Sequence, residues 1–250
     1  MKDTLYKYLL MLGDNSMILG HRLSELCGHG PSLETDIALT NISLDLFGQV
    51  RNYFQYAAEL DGNGTTEDTI AFLRKEREYY NVVLVEQPNE NFAHVIVRQY
   101  LFDAYHQLLL SELMISKDQR IVAIATKSIK ESKYHKRFSS EWVKRLGAGT
   151  EVSHGKMQEA VTHLYPFAEE FFKVSAVEAE MEKQDIGPDS SLLKDKFYEE
   201  VQTVFDEANL TVADLKPRVV KGKEGMHSEH MGFVLNELQY MQRAYPDMKW

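Results

Sequence analysis

The sequence is poor in several features that mark secreted, membrane and nucleic-acid-binding proteins. It has one cysteine, Cys27, so no internal disulfide can form, and its neighbours Leu23 and Leu26 predict a packed thiol in a reducing compartment. Basic residues number 28 against 38 acidic ones, and the net charge of −10 argues against a nucleic-acid partner. The first apolar run, Tyr8 to Leu12, is too short for a signal or membrane segment. We therefore expect a cytoplasmic protein with no nucleic-acid or membrane partner.

The composition is that of an ordinary globular protein. Of 250 residues, 44% are hydrophobic and 26% are charged, and a chain of this length can bury a substantial core. No Pro/Ser-rich linker or low-complexity segment divides it. We expect a single domain over residues 1–250, with a core bundle at about 4–147 and added helices at about 153–244.

Apolar residues recur at helical spacing in four long segments that pair as two hairpins. In the first hairpin, helices at about 4–26 and 32–60 flank the turn Gly28–Pro31. In the second, two helices within 91–147 meet at Ser116–Asp118. Each hairpin can bury its two apolar faces against those of the other.

The link between the hairpins supports a specific topology. It runs from Leu60 to Asn91, holds a shorter helical pattern from Glu67 to about Tyr80, and is long enough to travel the length of a bundle. Such a crossover is typical of ferritin-like four-helix bundles. The sequence therefore predicts an all-α, ferritin-like fold, with further helices at about 153–173, 191–208 and 227–244.

Each long helix has one carboxylate within its apolar stretch: Asp14, Asp45, Asp103 and Glu131. Each carboxylate lies about 14 residues from the turn of its hairpin, or ~21 Å at 1.5 Å per residue. Closing each hairpin brings its two carboxylates to one level. We expect all four to meet at the middle of the bundle.

Both helices of the second hairpin have a predicted inward stripe with alternating steps of four and three residues. In the first helix, Arg98, Tyr105 and Glu112 mark the opposite, wet face, and the stripe is Phe92, Ile96, Gln99, Asp103, His106, Leu110 and Leu113. In the second helix, the stripe is Ile121, Ile124, Ser128, Glu131, His135, Phe138 and Trp142. Each stripe thus places a carboxylate and a histidine toward the core.

The pattern falls short of a di-iron site. Di-iron carboxylate bundles need a Glu from each of two helices and a Glu-x-x-His motif from each of the other two. Gly48 stands three residues after Asp45, and Tyr134 stands three residues after Glu131, so both expected histidines are missing. One interpretation is a variant metal site, and the favoured one is a metal-free core whose acids are paired or protonated. The histidines available near the degenerate site are His21, His106 and His135.

A second group of candidate residues lies near the C-terminus. His227 and His230 have a spacing at which two metal ligands can share a helix face, although a structural or interface role is commoner. One basic island precedes them in this acidic chain, with Lys216, Arg218, Lys221 and Lys223. These six residues are candidates for a partner interface or an anion contact.

Several short motifs, which together are specific, are shared with a known family. They lie at Leu12–Asn15, Gly20–Glu25, Cys27–Pro31, Asp45–Gln49 and Gly225–Gly232, and the similarity also takes in residues 98–106 and 129–149. In these motifs the sequence resembles the C subunit of the phenylacetyl-CoA ring-1,2-epoxidase. The similarity covers nearly the whole chain.

The resemblance implies a function. It implies a ferritin-like, non-catalytic structural subunit of a multicomponent di-iron monooxygenase in bacterial phenylacetate degradation. This chain would hold no cofactor and would have no activity alone. A related catalytic subunit would carry the di-iron centre and bind the CoA thioester, and a reductase component would supply electrons through the complex.

Two other functions stay open. One is a carboxylate-bridged di-metal oxygenase or iron-handling protein with its own variant site, and the other is a CoA-binding module that uses the basic island. For a structural subunit, we expect some apolar residues of the added helices to cover the bundle and others to form the interface with the partner. The residues in question are Phe167, Phe171, Phe172, Phe197, Val201, Phe205, Phe233, Leu235, Leu238 and Tyr240.

Overall fold

The computed structural model describes residues 2–212, 215–246 and 248. Their regular structure is helical, apart from an isolated antiparallel bridge between Lys221 and Met226. The α-helices are α1 (Lys2–Ser24), α2 (Leu33–Asp61), α3 (Glu67–Phe72), α4 (Phe92–Leu113), α5 (Gln119–Gly147), α6 (Glu151–Leu164), α7 (Ala176–Lys183), α8 (Lys194–Glu207) and α9 (Glu229–Ala244). Short 3₁₀ segments lie at Glu76–Glu78, Val83–Glu86, Tyr165–Phe172, Ser190–Leu193 and Gly222–Glu224.

Local sequence fixes the ends of the long helices. Ser32 caps α2 by accepting a hydrogen bond from the backbone N–H of Thr35 at 3.3 Å, and Gly62 ends α2 in the left-handed conformation at φ 72°. Asp118 caps α5 through the backbone N–H groups of Arg120 and Ile121. These caps place the turns where the sequence predicts them.

The four long helices form the predicted bundle. Helix α1 packs along α2, α4 packs along α5, and α2 also contacts α5. Residues 62–91 cross from one hairpin to the other. The fold is therefore a ferritin-like four-helix bundle with additional helices, as the periodicity predicts. The crossover differs in detail, because α3 ends at Phe72 and the chain continues in 3₁₀ segments.

Helix α4 is buried on nearly every side, and the predicted wet face is wrong at two of its three positions. Arg98 is fully buried and donates to the backbone oxygen of Gln87 and to Oδ1 of Asn89. Tyr105 is also buried and stacks on Phe171 at 4.2 Å between ring centroids. The reason is that α6, α8 and the segment Tyr165–Phe172 cover the side of α4 that a simple bundle would expose.

The added helices cover the bundle unevenly. Helices α6 and α8 pack on α4 and α5, whereas α7 and α9 contact α1. Among the described residues, no helix after α5 makes an extended contact with α2. The apolar residues Leu33, Ile37 and Leu44 of α2 consequently stay exposed.

The structure also tests the prediction for Cys27. Cys27 is exposed in the turn after α1, so the prediction of a packed thiol is wrong. Its leucine neighbours do not enclose it, because the helix ends before a further turn can fold over the thiol.

None of the helices in the described ranges has the length and hydropathy needed to span a membrane.

Candidate functional site

Asp14 is the carboxylate that α1 brings into the interior, and it is held by an ion pair. The guanidinium of Arg74, from the crossover, donates to both carboxylate oxygens, and the backbone N–H of Tyr80 donates to Oδ2 at 2.8 Å. The remaining donors of Arg74 bind the backbone oxygens of Ile70 and Glu78, each at 2.7 Å. Asp14 is fully buried, and its hydrogen bonds lead to the crossover and not to the other bundle carboxylates.

The other polar positions form a seam between α2, α4 and α5, which we call the polar seam. Two contacts join α2 to α5 across it. Asp45 Oδ2 lies 3.0 Å from Nε2 of the buried His135, and Gln49 Nε2 donates to Glu131 at 3.2 Å. The seam comprises Asp45, Gln49, Gln99, Asp103, His106, Ser128, Glu131, Ser132, His135 and Ser139.

Asp103 is the most deeply buried carboxylate of the polar seam. It accepts hydrogen bonds from Gln99 Nε2 and Ser139 Oγ, both at 2.8 Å, and no cation contacts it directly. Burial raises its pKa from 3.8 to about 7, although the charges of His135 and Lys136 and the two hydrogen bonds oppose this shift. Asp103 therefore titrates near neutral pH.

Many side-chain atoms of the polar seam have no hydrogen-bond partner. Burial and the neighbouring His135 lower the pKa of His106 to about 3, so that its ring stays neutral. Neutral rings and amides tolerate a missing hydrogen bond far better than a buried charge does. The unpartnered atoms are Gln49 Oε1, Gln99 Oε1, His106 Nδ1, Ser128 Oγ, Ser132 Oγ and His135 Nδ1.

The expected meeting of four carboxylates is wrong. Asp14 is bound to Arg74, Asp45 lies at the partly exposed edge of the seam, and Asp103 lies deep within it. Among the described residues, these acids do not form a group of three ligands close enough to share a metal ion. The cause is the crossover, which supplies a guanidinium to Asp14. The donor set does not fit the di-iron arrangement of four carboxylates and two histidines.

The two positions that lack ligand histidines face away from the seam. Gly48 is exposed, and Tyr134 is 45% exposed on the outer side of α5. The predicted stripe of α5 is displaced accordingly, because Phe138 and Trp142 are only partly buried whereas Ser132, Ser139 and Val143 are buried.

His21 lies apart from the polar seam. Its ring packs edge-on against Phe47 at 4.9 Å and lines a cleft of about 430 Å³ between α1, α2 and α3. Burial lowers its pKa to about 4. His21 is a packed neutral ring, and it does not contact the carboxylates of the seam.

The C-terminal candidates divide into a buried and an exposed set. Lys223 is buried and donates to Glu178 at 2.8 Å and to the backbone oxygens of Phe171 and Lys173. The side chain of His227 is buried too, so the prediction that these two residues form a polar interface rim is wrong. Their partners reach them from other segments, which the local charge pattern could not reveal. The accessible members are Lys216, Arg218 and Lys221, with His230 partly buried.

His227 belongs to a fully bonded group. Its Nδ1 lies 2.6 Å from Glu86 Oε1, and its Nε2 lies 3.0 Å from the backbone oxygen of Tyr79. Burial alone would lower the pKa of His227, but the hydrogen bond and charge of Glu86 raise it above its ordinary value. Glu86 also accepts hydrogen bonds from Asn81 and from the backbone and hydroxyl of Ser228.

A second buried carboxylate ties the C-terminal part to the crossover. Glu170 accepts hydrogen bonds from the backbone N–H groups of Val83, Gly222 and Lys223. We use the name crossover anchor for the residues that join residues 62–91 to α1 and to the C-terminal part. They are Asp14, Arg74, Glu86, Glu170, Glu178, Lys223 and His227.

Comparison with known proteins identifies the family of this chain. A family model described as phenylacetic acid catabolic protein matches residues 1–250. The chain belongs to this family. The C subunit of 1,2-phenylacetyl-CoA epoxidase from Escherichia coli (strain K12) is 48% identical over 248 residues, which cover 99% of this chain and 100% of that relative. The resemblance predicted from the sequence motifs is confirmed.

In this member of the phenylacetic acid catabolic protein family, one side of the bundle is apolar and uncovered. Leu44 and Tyr134 flank the contact between Asp45 and His135, and both are exposed. Exposed apolar residues continue along α2 at helical spacing, and partly buried aromatic rings continue along α5. We call this surface the α2/α5 face, formed by Leu33, Ile37, Leu44, Tyr134, Phe138 and Trp142.

Of the crossover anchor residues outside the bundle helices, the sequence analysis singled out Lys223 and His227 but missed Arg74, Glu86 and Glu170. Arg74 begins a run of five charged residues and Glu170 follows Glu169, but none of the three segments has a recognisable motif. A signal exists for two of them, because Glu86 follows Val83-Leu84-Val85 and Glu170 precedes Phe171-Phe172. A charge beside a buried apolar run needs a partner. Sequence alone could not name that partner, since it lies 141 residues away for Glu86.

Proposed function

We propose that this chain is a non-catalytic structural subunit of a di-iron monooxygenase complex that epoxidises the ring of phenylacetyl-CoA. The partner would be the catalytic subunit that carries the di-iron centre, and a reductase component would deliver electrons to that subunit. The name of the E. coli relative supports the complex and its substrate. The geometry of the bundle interior supports the non-catalytic role.

The observation that carries the proposal is the ion pair between Asp14 and Arg74. A di-iron centre needs a carboxylate from each bundle helix, and here the one from α1 is neutralised by a buried guanidinium. Gly48 has no donor, and Tyr134 turns its phenol to the surface. The bundle retains the architecture of an oxygenase without the ligand set that binds two irons.

The α2/α5 face is the surface that we propose for the catalytic partner. It is the part of the bundle that the added helices leave uncovered, and it exposes aliphatic side chains of α2 beside aromatic rings of α5. Charged residues such as Arg137 and Glu141 border these rings. Stable interfaces of this kind bury roughly 2,000 Å² or more and are enriched in aromatic residues at their centre. Because Asp45 lies at the same surface, the polar seam would be covered when the partner binds.

Co-purification with the di-iron subunit tests the proposal. We expect a stable heteromer that is active when reductase is added, whereas this chain alone has no epoxidase activity. Ile37→Glu and Leu44→Glu should weaken assembly, because they place charge on the α2/α5 face. Val152→Glu is the matched control, since Val152 is an equally exposed aliphatic residue on α6. A di-iron subunit that is fully stable and active without this chain would contradict the proposal.

One observation favours the alternative of a metal site within this chain. Nδ1 of His106 and Nδ1 of His135 have no partner, and the charge of Asp103 lies near His135. Protein expressed in iron-supplemented medium distinguishes the two functions by its iron and manganese content. We expect no stoichiometric iron or manganese. Two iron atoms per chain, lost in His106→Leu and His135→Leu, would establish the alternative.

A further inference from the structure

A separate cluster of potential metal ligands lies where α4 begins and α6 ends. Glu90 precedes the N-cap of α4, His94 lies in the first turn of that helix, and His163 lies in the last turn of α6. One ligand atom from each of the three residues lies within 4.8 Å of the other two. Among the described residues, this is the one group of at least three such side chains that meets this distance.

The distances are close to those of a zinc site. Ligand bonds of 2.0–2.1 Å in a tetrahedral site place neighbouring ligand atoms ~3.3 Å apart. Glu90 Oε2 lies 3.2 Å from His94 Nε2, and Glu90 Oε1 lies 4.0 Å from His163 Nδ1. The two imidazole centroids are 5.6 Å apart. Small side-chain rotations would close the remaining gap, because Glu90 and His163 are 46% and 30% exposed.

His94 is the buried member of this group. It is 2% exposed, and its Nε2 is the ring nitrogen that lies beside Glu90. The other ring nitrogen, Nδ1, has no hydrogen-bond partner. His227 shows the contrast, because both of its ring nitrogens are engaged in structural hydrogen bonds.

The surroundings provide a rigid support and a further carboxylate on the same face of α6. Arg98 binds the loop that carries Glu90, through the backbone of Gln87 and the side chain of Asn89. Glu159 lies four residues before His163, so both side chains share one face of α6. Its charge also acts on His94. Two Glu-x-x-x-His pairs, Glu90/His94 and Glu159/His163, therefore converge from different segments.

We propose that Glu90, His94 and His163 form a binding site for a divalent transition-metal ion, of which Zn²⁺ is the best match, with Glu159 or water as the fourth ligand. Two imidazoles and a carboxylate are a ligand set that zinc accepts readily, and Mg²⁺ prefers oxygen ligands alone. The ion would fasten α6 to the start of α4. This site shares no residue with the polar seam and does not depend on the proposed function.

Zinc titration of chelator-treated protein without a histidine tag tests this site. We expect one Zn²⁺ per chain by calorimetry, a higher melting temperature with Zn²⁺ but not with Mg²⁺, and the strong visible absorption of tetrahedral Co²⁺ after cobalt substitution. Glu90→Gln and His163→Ala should weaken zinc binding by more than about 100-fold, since even outer-shell changes cost 10–100-fold.

The control variant is His29→Ala, which removes an exposed histidine from the turn between α1 and α2. It should bind zinc as the unmodified chain does. Because Glu90 is half exposed, Glu90→Gln keeps the fold and separates ligand loss from unfolding. The proposal is overturned if zinc does not bind in a one-to-one ratio, or if Glu90→Gln and His163→Ala bind it as tightly as His29→Ala does.

Discussion

The crossover anchor and the polar seam are both buried and polar, but they satisfy their polar groups in opposite ways. In the anchor, Glu86 and Lys223 each have at least three hydrogen-bond partners. In the seam, Asp103 has two neutral donors, and both His106 and His135 have a nitrogen without a partner. The difference indicates that hydrogen bonds and ion pairs of the anchor stabilise the fold. The polar residues of the seam are kept in place by the packing of the surrounding helices.

This contrast follows from the backbone at each place. The anchor joins irregular segments of the chain. Their backbone N–H groups are not paired within a helix and can donate to carboxylates such as Glu170 and Asp14. The seam lies between three regular helices, whose backbone groups are already paired within each helix. Polar side chains there find few backbone N–H donors, so burial of an acid such as Asp103 raises its pKa.

The largest expected effect is the removal of Asp14 from the crossover anchor. Asp14→Ala leaves the guanidinium of Arg74 buried without its counter-charge, which should cost ~3–5 kcal/mol in the free energy of unfolding. Urea denaturation measures it. The control is Asp45→Ala in the seam, which should cost less than about 1 kcal/mol because Asp45 is partly solvated. If both variants lost the same free energy of unfolding, the proposed difference between anchor and seam would be wrong.

A substitution in the polar seam should raise the free energy of unfolding, whereas Asp14→Ala lowers it. Asp103→Asn keeps the shape and should stabilise the protein, because ionising Asp103 in the folded state is unfavourable. The difference between pKa values of 3.8 and about 7, at about 1.4 kcal/mol per pKa unit, sets an upper bound of about 4 kcal/mol.

The pH window of this gain is defined by the same pKa values. In the unmodified chain a raised carboxyl pKa makes stability fall as pH rises from about 4 to about 7, so the advantage of Asp103→Asn should grow across that window and then level off. Thermal melts at several pH values measure this difference. An advantage that does not change with pH would mean that Asp103 is ionised without cost.

A smaller loss is expected for His227 in the anchor. His227→Ala removes a hydrogen bond to the carboxylate of Glu86 and should cost ~1.5–3 kcal/mol near pH 6. Since the pKa of His227 is raised in the folded state, its charge-dependent contribution is complete below about pH 6.5 and declines as pH rises through the folded value. Denaturation at pH 6 and pH 9 measures the decline, with the less buried His230→Ala as control.

The smallest effect should come from His106 in the polar seam. His106→Leu should change stability by less than about 1 kcal/mol, because the ring is neutral and its Nδ1 has no hydrogen bond to lose. Replacing His227 by Leu provides the comparison within the anchor. A loss at His106 as large as that at His227 would show that the seam is as tightly specified as the anchor.

Much of the fold could be predicted because it depends on short-range patterns. The two hairpins follow from helical periodicity and from turns such as Gly28–Pro31 and Ser116–Asp118. The level of Asp103 relative to α5 was predicted wrongly, because the symmetry of the turn placed it opposite Glu131, whereas it accepts a hydrogen bond from Ser139, eight residues further along the helix. The α4 surface could not be predicted, because its environment depends on helices that come later in the chain.

The sequence by itself determined the four bundle helices, the cap of α2 at Ser32, the ferritin-like connection and the loss of ligand histidines at Gly48 and Tyr134. The predicted helix at 153–173 was too long, because α6 ends at Leu164 and a 3₁₀ segment with Pro166 follows. All of these depend on residue identity and on spacing within a few turns of helix. Only the tertiary structure decided which charges pair, such as Asp14 with Arg74 and Glu86 with His227. The physical reason is that a buried charge pairs with a group that the folded chain brings within about 4 Å. The distance between residues far apart in the sequence cannot be read from the spacing of neighbouring residues.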